Sequence, residues 1–218
     1  MSAAAAATAE TVVPTLEMFF DFSSPFSYLA ATQVEAVARR TGARLVWRPF
    51  LLGGLFRTLG GPDAPILEWP EPKRRHSVAD LYRWADYWNV PFQWVSRFPV
   101  RTILPLRVVL AAGDAAAPFI HATYRAYWAE DRDISEESEV RALVAAAGLP
   151  ADTMEKAGSA PVKDALKANG EEAARRGVFG APTFFVHQPG DDAPLLFWGQ
   201  DRLVLVEKAL GGWRPKAG

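Results

Sequence analysis

Residues 16–30 read LEMFFDFSSPFSYLA, and the fold is worked outward from this stretch. Leu16–Asp21 is short, apolar and aromatic, the composition of a buried strand. A helix follows at once. Pro25 sits in its first turn, where a missing N–H costs nothing, and Ser24 is the natural N-cap. Phe26, Ala30, Val34 and Val37 then recur at helical spacing until Gly42 closes the element. Arg44–Phe50 (RLVWRPF) reads as a second strand. Strand, helix and strand within about 35 residues predict a parallel βαβ crossover.

The middle of the chain reads differently. From about Ala79 to Arg176 the patterns are helical, with no convincing strand. Leu81, Trp84, Ala85 and Trp88 form one apolar stripe, and Thr102–Ala112 and Ala117–Ala129 read as helices separated by Gly113 and Pro118. Ser135 is the expected cap of a helix that Gly148 ends, and Ser159-Ala-Pro161 starts another that stops at Gly177. Strands return at the end. Thr183–His187 and Leu195–Trp198 flank the turn QPGDDAP as a hairpin, and Asp201–Leu210 closes as a helix with Leu203, Val206 and Leu210 facing inward. The predicted class is α/β: a thioredoxin-like sandwich from residues 15–52 and 161–214, interrupted by an all-helical insertion domain at 53–160, after a disordered tail at 1–14.

Composition narrows the chemistry. The 218 residues are 50% hydrophobic and 22% charged, enough for a real core and too apolar for whole-chain disorder. Lys and Arg number 24 against 25 Asp and Glu, so no long-range field draws nucleic acid or an anionic membrane. No run approaches the ~18 apolar residues of a membrane span, and MSAAAAATAE lacks the basic and leucine-rich regions of a secretory signal, which places the protein in the cytoplasm. There is no cysteine, which excludes disulfides, thiolate metal sites and redox chemistry on the chain's own sulfur. His76, His121 and His187 lie far apart with no HxxxH spacing, and no metal is expected.

Three separated motifs complete the picture: DFSSPFSYLA (21–30), GVFGAPT (177–183) and FWGQDR (197–202). In their order and content they resemble the 2-hydroxychromene-2-carboxylate isomerases, relatives of kappa-class glutathione transferases on a DsbA-like thioredoxin fold with a helical insertion; the resemblance spans roughly Leu16 to Gly212. It implies glutathione as cofactor, with its sulfur beside Ser24 as the catalytic residue and a cis peptide before Pro182. It further implies that the Ala181 backbone pairs with the tripeptide's main chain, and that Gly199, Gln200 and Asp201 receive its γ-glutamyl end. The implied activity is isomerisation, without net redox change, of a fused aromatic that bears a carboxylate, as in aromatic hydrocarbon catabolism, by a homodimer. For such a substrate Arg57 and Arg101 are the candidate cations, and the aromatic run 82–98 (Tyr82, Trp84, Tyr87, Trp88, Phe92, Trp94, Phe98), Trp88 foremost, the candidate wall. One departure stands out: Leu59-Gly60-Gly61 occupies the place where relatives often carry Gly-Asn. The same sulfur would also serve a transferase, and a non-catalytic thioredoxin-like scaffold is the alternative of another class. Each motif has a plainer reading too: Ser24 as a cap alone, Asp201 as an ordinary helix-start residue, and the aromatic cluster as core.

Overall fold

The computed structural model describes residues 13–216. The expected tail at 1–14 therefore falls almost wholly outside the described residues. Strand β1 (Thr15–Phe20) leads through helix α1 (Pro25–Thr41) into β2 (Arg44–Pro49), and the two strands pair in parallel from Thr15↔Arg44 to Phe20↔Pro49. The helix begins and ends where the sequence places it. Ser24 caps it by accepting the Ser27 N–H, Pro25 is in the first turn, and Gly42 closes it in the left-handed region at φ 65°.

A run of helices follows: α2 (Leu52–Thr58), α3 (Pro65–Glu68), α4 (Glu71–Tyr87), α5 (Ile103–Ala112), α6 (Ala117–Trp128), α7 (Glu137–Ala146) and α8 (Thr153–Gly158). The N-cap position of α7 is Glu136, which makes no side-chain cap bond, rather than Ser135, whose hydroxyl is committed to Asp133 Oδ1 at 2.5 Å. The long α9 (Ala160–Arg175) returns the chain to β3 (Thr183–His187), β4 (Leu195–Trp198), a 3-10 turn at Gln200–Arg202 and α10 (Leu203–Leu210). The closing helix thus starts later than the sequence suggests, although Leu203, Val206 and Leu210 are buried as expected. Sheet order is β2-β1-β3-β4, with β3 antiparallel to both neighbours. No helix among the described residues is long and apolar enough to cross a membrane.

Alternation along β1 divides the core. Leu16, Met18 and Phe20 face α1, α6 and α10, whereas Phe19 joins Phe50, Leu55 and Phe185 on the other face, under α2 and α9. Trp128, fully buried, anchors the helical part: Phe92, Trp94, Phe98 and Tyr127 pack around it with ring centroids 4.8–6.1 Å away, and its Nε1 donates to the Phe22 carbonyl at 2.8 Å. Aromatic pairs of this kind contribute about 0.5–1.5 kcal/mol each beyond their buried area. The contacts also tie the insertion to the turn after β1.

Candidate active site

The turn after β1 is drawn tight by its own polar groups. The Asp21 carbonyl accepts the Ser24 N–H at 3.1 Å and the Tyr124 hydroxyl at 3.2 Å. This fixes Ser24 at the mouth of α1, 3% exposed. Its hydroxyl accepts the Ser27 N–H at 3.1 Å and donates to the Ala181 carbonyl at 2.9 Å. The bond spans 157 residues of sequence and joins the first motif to the second. The Ala181–Pro182 peptide is cis, as the resemblance implies; a second cis bond, Phe98–Pro99, was not foreseen.

Gly180, just before Ala181, lies tight against the third motif. A Cβ there would lie 2.5 Å from Trp198 Nε1, so the indole of the third motif rests directly on the backbone of the second. Gly199 is equally constrained, at φ 105° and with Asp201 Oδ1 only 2.6 Å from where a Cβ would sit.

A cavity of about 550 Å³ opens over this corner, within the range of small-molecule sites. Asp21, Ser24, Gly180 and Ala181 lie on one side, and Phe26, Phe56, Ile66, Trp69, Phe98 and Pro99 make much of the rest, so the walls are mainly apolar. Phe179 and Trp198 pair at 5.0 Å between ring centroids and flank the opening, each about half exposed. Both candidate cations line the cavity. Arg57 is paired with Asp63 at 3.4 Å, whereas Arg101 has no such carboxylate partner among the described residues.

Other candidate residues lie away from the cavity lining. Trp88 does not line the cavity: it follows the last residue of α4, lies tilted against Trp84 with ring centroids 4.7 Å apart and packs against the main core. Of the aromatic run 82–98 only Phe98 lines the cavity; Phe92 and Trp94 pack on Trp128, Trp84 and Trp88 pack on each other, and Tyr82 and Tyr87 are exposed. Gly199, Gln200 and Asp201 follow the lining residue Trp198 but do not themselves line the cavity, and Pro182 lies behind Ala181. Gln200 is buried, and Asp201 is paired with Arg202 at 2.6 Å. Gly61 is likewise outside the lining.

Asp21 was missed as a site residue although it opens the first motif. Burial pushes its carboxyl above the ordinary carboxylate range, against the opposing pull of hydrogen bonds from the Ser23 and Leu52 N–H groups and Thr102. Its signal in the sequence was a carboxylate directly after an apolar strand, where only buried partners can meet it.

The family model for a DSBA-like thioredoxin domain matches residues 15–211. A 2-hydroxychromene-2-carboxylate isomerase of Sphingobium xenophagum is 33% identical over 197 residues, covering 90% of this chain and 97% of that protein. This chain belongs to the 2-hydroxychromene-2-carboxylate isomerase family of DSBA-like thioredoxin proteins. The solved structure of such an isomerase superposes with a TM-score of 0.77 at 25% identity, over 91% of this chain and 95% of that one. The human glutathione S-transferase kappa 1 is 26% identical over 90% of this chain and 91% of its own.

Proposed function

We propose that the protein is a glutathione-dependent isomerase of 2-hydroxychromene-2-carboxylate-like aromatics. The observation that carries the reading is the Ser24–Ala181 corner at the N-terminus of α1, facing a 550 Å³ apolar cavity whose wall holds Arg101, which has no carboxylate partner among the described residues. The corner fits a peptide cofactor. The Ala181 N–H meets no acceptor among the described residues, which leaves it free for a tripeptide carbonyl in the manner of an added strand. Glutathione, when bound, supplies the sulfur nucleophile that the cysteine-free chain lacks.

The chain's own residues do the rest. Ser24 presents a hydroxyl donor at the positive end of the α1 dipole, and both favour a thiolate over a thiol. The hydroxyl has one hydrogen, now given to the Ala181 carbonyl, so engaging a sulfur means turning it outward. Arg101 holds the substrate carboxylate, with Arg57 less available because Asp63 already neutralises it. Phe98, Phe56 and Trp69 flank a flat ring and exclude water. Gly199, Gln200 and Asp201 remain the proposed γ-glutamyl contacts; they would act from the far side of Trp198, Asp201 only after giving up Arg202. A cytoplasmic homodimer acting in aromatic catabolism is part of the same reading.

The test is incubation with glutathione and 2-hydroxychromene-2-carboxylate, following both absorbance and free thiol. A glutathione-dependent spectral change with no thiol consumed supports the isomerase. Stoichiometric thiol loss favours the transferase reading, to which the human kappa relative lends support. No change at all returns the protein to a binding scaffold.

A further inference from the structure

Helix α2 has no cap of its own. Its N-cap residue is Leu51, which offers no side-chain acceptor, yet the first helical N–H, at Leu52, is not left bare. It donates at 2.8 Å to Asp21 Oδ2, from a residue 31 positions earlier at the end of β1. The other carboxyl oxygen, Oδ1, accepts the Ser23 N–H at 3.0 Å. Asp21 is 1% exposed and borders the cavity. Burying a carboxyl is costly, and what offsets the cost here is its pair of acceptors, without which the Ser23 and Leu52 N–H groups would lose their partner.

We infer that Asp21 is a positioning residue whose two carboxyl oxygens pin the Ser24 corner and the start of helix α2 to one another, fixing the separation of the two sides of the cavity. Ser23 is the neighbour of Ser24, and α2 carries Gly53, Gly54, Phe56 and Arg57 along the opposite wall. An ionised aspartate meets the demand because it presents two acceptors and no donor. In asparagine one of the two becomes an N–H that faces another N–H. The inference rests on the proposed isomerase only for its effect on turnover.

The test is a double-mutant cycle of Asp21→Asn and Leu52→Pro. Proline suits the first helical position, and Leu51 is already extended at φ −85° and ψ 103°, as a residue before proline must be. The substitution removes the N–H that Asp21 accepts and leaves the helix able to form. Deuterium uptake over residues 53–58 and kcat/KM are read at a temperature where every variant keeps the wild-type circular dichroism. Asp21→Asn is expected to speed exchange in α2 about tenfold and to lower kcat/KM by about tenfold, with the glutathione Kd changed by less than about threefold. The double variant is expected to be less impaired than the product of the two single effects, because both substitutions act on the one carboxyl-to-Leu52 contact. Unchanged exchange in Asp21→Asn, or effects that multiply in the double variant, would overturn the inference. A wild-type protein with no turnover sinks the isomerase reading instead, and the exchange cycle then decides the role of Asp21 by itself.

Discussion

Replacing Ser24 by alanine separates the two roles that its hydroxyl holds. The substitution removes the cap on α1, for which about 0.5–2 kcal/mol is typical, and the bond to the Ala181 carbonyl, for which a further 0.5–1.5 kcal/mol or so is typical. Because one hydroxyl makes both contacts, the combined loss is about 1–3 kcal/mol. For a chain of this size each kcal/mol moves the melting temperature by about 2–4 °C, giving a fall of about 2–12 °C. Turnover should suffer separately, since a hydrogen bond to a charged sulfur is worth about 1.5–3 kcal/mol, or roughly 10- to 150-fold. Ser24→Asp sharpens the contrast: aspartate caps a helix as well as serine does, but at neutral pH it has no hydrogen to give and repels a thiolate. Melting by circular dichroism and steady-state turnover at 25 °C, where all forms stay folded, measure the two effects independently. If Ser24→Ala melts lower but turns over within about twofold of wild type, Ser24 is a cap and nothing more.

Three further outcomes are expected. Glu17 is 12% exposed at its side chain; burial alone would raise its pKa, but hydrogen bonds from Arg176 and His187 and the charges of Arg176 and Arg48 outweigh that and hold it below 4.5. Its contribution is therefore complete above pH 4.5 and is lost as pH falls through the lower folded value, so Glu17→Gln should lower the melting temperature at neutral pH and flatten the acid limb of a pH series; an unaltered acid limb would show that other carboxylates control it. Gly180→Ala forces the Trp198 indole off the backbone, which should change the near-ultraviolet circular dichroism and destabilise by about 1–3 kcal/mol; an unperturbed spectrum would mean the loop absorbs the methyl group. Arg101→Ala should raise KM for the carboxylate substrate by about tenfold or more, and Arg57→Ala by less, because Asp63 already occupies Arg57; the reverse order would exchange their roles.

The elements were legible where local chemistry is decisive. Ser24, Pro25 and Gly42 mark the ends of α1 because capping and φ preferences act within a turn. The hairpin strands at Thr183–His187 and Leu195–Trp198 were readable for the same reason, bounded as they are by turn residues. Helices α2, α3 and α8 were not, being four to seven residues long and too short to show a period. The site was half legible. Its polar corner comes from motifs whose residues meet through sheet topology, which the order of elements already implies. Its apolar wall does not, because Phe56, Trp69 and Phe98 are brought together only by how the insertion folds over the sheet. An aromatic that reaches the pocket, such as Phe98, and one held against its own helix, such as Trp88 on Trp84, look alike in sequence.

The most direct measurement is the ionisation of glutathione's thiol in the complex, followed by thiolate absorbance across pH with wild-type protein in excess. The account predicts saturable binding and a thiol that titrates clearly below its free value of about 8.5, with the shift reduced in Ser24→Ala. A tripeptide that does not bind, or one whose bound sulfur titrates as it does in water, would contradict it.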